Sequence, residues 1–238
     1  MDSETKYLAE KNIGTSEIRR GLMKIIKTEV WGFEHALRGM RNPKNSWNRG
    51  DSYLSDFTDD GKNGFVIGSN DMKLAQALIL AGGEHSKFMR MIHVAADVDM
   101  PRYWWSEEDT YHFNTKNSCS TMHKLLANDE PIMKGLFIYC EEDIDIVDIV
   151  IERLEKIRQQ YKVEKNYENQ TRLLVRAKRL LPEGFLQMRT LDTNYAELRS
   201  EYFQRKSHRL KEEWTDTFCK WIESLPYSAE LITLRKDK

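Results

Sequence analysis

Apolar residues recur along this chain mostly at steps of three and four, the spacing that gathers them on one side of a helix. Behind Thr15 and Ser16, which can cap, Ile18, Leu22, Ile25 and Val30 predict an amphipathic helix from Ser16 to Val30. A second helix, capped by Asn70, carries Leu74, Ala77, Leu78 and Ala81 and stops at Gly82-Gly83. Val147, Val150, Leu154, Ile157 and Tyr161 mark a long third helix; Leu173, Leu174, Ala177, Leu180 and Leu181 mark a fourth, ended by Pro182. Asp192 or Thr193 caps the next, and Trp214, Phe218, Trp221, Ile222 and Leu225 give the last, closed by Pro226. Around Phe88, Ile92 and Val94 the parity shifts to two, which predicts a strand.

Polar stretches separate these elements. RNPKNSWNRGDSYLSDFTDDGKNG, residues 41–64, is rich in Gly, Asn, Asp and Ser and predicts a long exposed loop. The run CEEDIDIVD from Cys140 leads into a helix, its acids favouring the positive N-terminal end. The expected fold is α+β: one helix-rich domain over residues 1–238, with a small central sheet flanked by long helices.

Composition changes this picture little. Lys and Arg number 37 against 38 Asp and Glu, a net charge of -1, which argues against nucleic acid or an anionic membrane as partner while leaving local basic pockets open. The three cysteines, Cys119, Cys140 and Cys219, fit neither a disulfide framework nor a paired zinc motif. With no long apolar run and no leader-like start, a reduced, cytoplasmic chain is expected.

Two features carry candidate chemistry. Asn194, Leu198, Tyr202 and Arg205 fall along one side of a helix, and a guanidinium on a core-facing side needs an anionic or planar acceptor. That acceptor is either a structural carboxylate or a ligand. The second is PRYWWSEEDTYHFNTKNSCSTMH from Pro101, in which two tryptophans run into Glu107, Glu108 and Asp109. His85, His93, His112 and His123 lie in one region but lack helical i, i+4 spacing or Cys partners, so no metal is expected.

AKRLLPEGFLQMRTLDTNYAELRSEYFQRK, from Ala177, resembles the flavin-dependent (alternative) thymidylate synthases in its basic residue before a Leu-Pro pair, followed at set intervals by Asn, Leu and Arg. Here these are Lys178, Leu181-Pro182, Asn194, Leu198 and Arg205. GEHSKF, from Gly83, resembles that family's Glu-His-x-x-Phe, PRYWW its aromatic pair, and NSCSTMHKL its Asn-Glu-x-Ser-x-Arg-Tyr-x-x-Leu, matching at Asn117, Ser120 and Leu125.

The resemblance implies methylation of dUMP to dTMP with methylenetetrahydrofolate as carbon donor, FAD as hydride carrier and NADPH as reductant, in a homotetramer. It implies Ser118, Ser120, Lys178 and Arg205 as pyrimidine-nucleotide ligands, Ser120 and Arg205 being catalytic, and His85, Trp105, His112 and Asn194 as cofactor contacts. Where the family has Arg-His-Arg after the aromatic pair, this chain has Ser106-Glu107-Glu108-Asp109, or, counted back from Ser120, Thr110-Tyr111-His112. A non-catalytic nucleotide-binding protein of the same fold, without FAD, is the alternative.

Overall fold

A computed structural model describes residues 21–55 and 64–235. Its centre is a four-stranded antiparallel sheet of β1 (Lys24–Trp31), β4 (His93–Pro101), β5 (Thr115–Ser118) and β6 (Leu186–Asn194), in the order β1-β4-β6-β5. A two-stranded ribbon, β2 (Tyr53–Leu54) with β3 (Phe65–Val66), lies apart from it. The helices are α1 (Phe33–Met40), α2 (Ser69–Ala81), α3 (Arg102–Glu108), α4 (Thr121–Lys124), α5 (Ile144–Val163), α6 (Tyr167–Leu180), α7 (Tyr195–Arg205) and α8 (Lys220–Glu223). The α+β class is as expected. Among the described residues no helix is long and apolar enough to cross a membrane.

The sheet buries one side of β4, where Val94, Ala96, Val98 and Met100 alternate with half-buried neighbours. Over them pack Tyr195 and Leu198 of α7 and the rings of Trp104, Trp105, Trp214 and Phe218. A second cluster joins α5 to α6 through Leu154, Ile157, Leu173 and Ala177, the side predicted by their helical period.

Five sequence expectations need correction, the first being that Asn70 is not the cap of α2 but its second residue, following Gly68 at the cap position. Residues 16–20 lie outside the described part, residues 21–23 are irregular, and from Lys24 on the first predicted helix is instead the edge strand β1, paired antiparallel to β4 from Lys24↔Asp99 to Trp31↔His93. Ile25, Ile26, Thr28 and Val30 are β-branched and suit a pleated surface, and the ladder with β4 overrides the helical spacing. Phe88 sits in a 3-10 turn, Lys87–Met91, and the strand begins at His93. Asp192 and Thr193 end β6, and the cap of α7 is Asn194, whose side-chain oxygen accepts from the backbone N–H groups of Ala196 and Glu197, both at 3.1 Å. The last predicted helix opens as a π-helix, Lys211–Cys219, before α8.

The stretch at 41–64 is more ordered than a plain loop, although residues 56–63 lie outside the described part. It forms two 3-10 turns, Asn42–Lys44 and Trp47–Arg49, and is tied to α2. The Asp51 carboxylate accepts from the backbone N–H groups of Asn70 and Asp71 at 2.9 and 3.0 Å, capping α2 from a distance. Asp71 in turn holds the buried Arg41 at 2.6 Å and accepts from Ser52. Gly68 is required there because a Cβ would collide with the Asp51 carboxylate.

Candidate functional site

Pro101 ends β4 with extended backbone, and α3 turns the acid run toward cations of three other segments. Glu107 Oε2 lies 2.7 Å from the Arg205 guanidinium at the end of α7 and accepts the Trp214 indole N–H at 3.0 Å. Arg205 also donates through Nε to the Tyr111 hydroxyl at 2.8 Å and stacks 4.4 Å from the Trp214 ring centroid. Thus the guanidinium has both an anionic and a planar acceptor, supplied by the chain itself.

The other two acids are paired as well. Glu108 is wholly buried, with Lys116 Nζ at 2.5 Å and the Asn114 amide at 3.2 Å. Burial pushes its carboxyl up to about 7, against the opposing pull of Lys116. Asp109 receives the Arg189 guanidinium at 2.9 and 3.1 Å. That guanidinium stacks 4.4 Å from the Trp105 ring centroid. Trp105 is fully buried and donates its indole N–H to the Gln187 carbonyl, so it is a core group.

Beneath this cluster lies Glu201 of α7, only 1% exposed, with neither carboxyl oxygen hydrogen-bonded among the described residues. Burial raises its pKa well above the usual carboxylate range, and the nearby acids Glu108 and Glu197 add to the rise. Nothing in the pattern of α7 marks this group.

Ser120 and Lys178 are linked elsewhere through Thr121. Ser120 caps the short helix α4, its hydroxyl accepting the His123 N–H at 3.3 Å. Lys178 of α6 donates to the Thr121 hydroxyl at 2.5 Å, and no carboxylate lies within ion-pair distance among the described residues. Burial, and then the charge of Arg102, lower its pKa. Ser120 and Thr121 open onto a pocket of about 410 Å³ walled by Leu125, Ile132, Leu136 and Met188. Ser118 is exposed in β5, opposite Arg189. Within one chain, Arg205 shares no bonding partner with Lys178 or Ser120 among the described residues.

Asn194 lines a third region, a cleft of about 760 Å³ that also takes in Arg90, Phe113, Arg199, Ser200 and Phe203. Its amide donates to the Phe113 carbonyl at 3.2 Å, so both ends of the side chain are engaged. Arg199 is a candidate ligand that sequence reasoning missed. It is half-buried, and burial, then the charge of Arg235, lower its pKa. Arg199 and Arg235 each lie 4.8 Å from the Phe203 centroid, and neither has a carboxylate partner among the described residues. The legible signal was the i, i+4 step from Arg199 to Phe203. His112 is exposed in the segment after α3; His85 is exposed in the turn after α2 and faces a fourth, basic cleft. Among the described residues no group of His, Cys, Asp or Glu is placed to hold a metal.

No protein-family model matches the chain, and no curated protein matches it significantly. Solved structures do match. Thymidylate synthase X (ThyX) from Helicobacter pylori, solved with FAD and dUMP, aligns at a TM-score of 0.63 and 16% identity, over 89% of this chain and 97% of that one. The UMP/dUMP methylase PolB from Streptomyces cacaoi, bound with 5-Br UMP, aligns at 0.55 and 10% identity, over 90% of this chain and 95% of that one. At such identities the likeness is one of fold.

Proposed function

We propose, from that likeness in fold, that the chain binds a pyrimidine nucleoside monophosphate of the dUMP type, with Lys178 and the hydroxyls of Ser120 and Thr121 as its phosphate and base ligands. One observation carries the reading: a part-buried ammonium, with no carboxylate partner among the described residues, is held by the hydroxyl of Thr121, which itself lines a pocket of nucleoside size. A phosphate brought to that point supplies the missing counter-charge, and charge-assisted hydrogen bonds of this kind are about twice as strong as neutral ones. Ser118 stands on the adjoining strand as a further donor. Arg205, held by Glu107, Tyr111 and Trp214, lies outside this pocket within one chain.

FAD is a poorer match to these residues. Arg205, Lys116 and Arg189, the cations beside the aromatic pair, are each neutralised by an acid of the same segment, and a diphosphate there would meet Glu107 and Asp109. That pairing sets nucleotide binding ahead of methylation, which would draw on a flavin hydride, methylenetetrahydrofolate and NADPH. Asn194, spent on capping, and the buried Trp105 serve the fold in this reading, while His85 and His112 are exposed. The homotetramer implied by the family resemblance stays part of the proposal, to be read by light scattering.

The test is a melting experiment with dUMP. At about 100 times its Kd a ligand adds about 2.7 kcal/mol, a rise of about 5 to 10 °C for a chain of this size. Lys178→Ala should abolish that rise and leave the unliganded protein folded and colourless. A yellow protein that releases FAD, or a rise that survives Lys178→Ala, would overturn the reading.

A further inference from the structure

We propose that the basic cleft facing His85 binds single-stranded nucleic acid. This goes beyond the mononucleotide reading and uses none of its residues. The cleft, about 1310 Å³, lies between α1, the 3-10 turns of 42–49, the start of α2 and the turn after it. Small-molecule sites usually fall between about 300 and 1,000 Å³, so this one is sized for an extended ligand.

Its charge is one-sided. Arg38, Arg41, Lys44, Arg49, Lys73 and Lys87 line it, against the single acid Glu84. Arg41 is committed to Asp71, and Lys87 pairs with Glu84 at 3.0 Å. Arg38, Lys44, Arg49 and Lys73 have no acidic partner among the described residues, and all four are exposed. A chain whose total charge is close to zero has therefore gathered in one groove four cations without an acidic partner among the described residues. Phosphodiesters neutralise such a row while releasing their own condensed counterions, which drives binding.

An aromatic face stands beside the cations. Trp47 is flanked by the lining residues Ser46 and Asn48, and its indole N–H donates at 2.8 Å to Oδ1 of Asn42, another lining residue. The hydrogen bond holds the ring against the cleft-lining Asn42 while leaving it 48% exposed. A positive groove with an exposed aromatic tethered to one of its lining residues is an arrangement on which unpaired bases stack without sequence preference. A duplex keeps its base faces covered and offers nothing to Trp47.

The test uses the full chain and a fluorescently labelled oligothymidylate of about ten residues, followed by anisotropy across a salt series. Four phosphate contacts predict a slope of log K against log salt of about -2.8. Lys44→Ala with Arg49→Ala should make that slope shallower by about 1.4. Trp47→Ala should weaken binding at least about fivefold, with Trp47→Phe retaining most of it. Melting temperatures, and the rise given by dUMP, should be unchanged in these surface variants. Absence of binding at low salt, indifference to the Lys44 and Arg49 changes, or equal affinity for a duplex of the same length would overturn the proposal. So would loss of the dUMP effect in the double variant, since the cleft would then be the mononucleotide's own site.

Discussion

Glu201→Met is expected to stabilise the protein, and to do so more strongly as pH rises. The carboxyl is 1% exposed, has no hydrogen bond among the described residues and faces the acids Glu108 and Glu197, with Lys116 and Arg205 opposing them. A buried neutral group left unpaired costs about 1 to 3 kcal/mol. Methionine offers a straight chain of similar length with no polar atom to strand. Removing that cost gives about 2 kcal/mol, or about 4 to 8 °C in melting temperature.

The pH dependence follows from the raised pKa. Above the ordinary carboxylate value the unfolded chain has lost its proton while the folded one keeps it. Stability is therefore fully present below the unfolded value and falls, by about 1.4 kcal/mol per pH unit, as pH climbs toward the folded one. Calorimetry on both proteins from about pH 5 to about pH 8 should show the gap between them widening. A methionine variant that melts below the parent, or a gap independent of pH, would refute the reasoning.

Two further outcomes are expected. Glu108 should titrate near its value of about 7 by carbon-13 NMR, and Lys116→Met should move it higher, because Lys116 is the charge that opposes burial; titration in the ordinary carboxylate range would count against its burial. A double-mutant cycle on Glu107→Gln and Arg205→Gln in denaturant should return a coupling of about 1 kcal/mol, reduced from that of a fully buried pair because both side chains keep some contact with water; a value indistinguishable from zero would remove Glu107 as the guanidinium's counter-ion.

What the sequence revealed depended on the reach of each interaction. The α5–α6 pair was legible because its apolar side repeats within the helix, and Pro182 marks its end. The strand β1 was hidden because Ile18, Leu22, Ile25 and Val30 also satisfy a helical spacing, and only the ladder to β4, some seventy residues on, decides between the two. For Arg205 the need for an acceptor was plain from its place on α7. Its identity, Glu107, lies 98 residues away in the chain. In one dimension the acids at 107–109 stand where the resembled family has Arg-His-Arg; in three dimensions each meets its own cation. Glu201 left no trace at all, since a lone glutamate in a helix rich in charge is ordinary.

Those three carboxylates and their cations also constrain how the segment can drift over generations. Losing one member of a couple strands the other, at a cost that selection will see, so substitutions on either side are tolerated only in matched steps. Regaining a phosphate-gripping surface there would require the acids to be shed while a phosphate-bearing ligand is already at hand to neutralise what they leave behind.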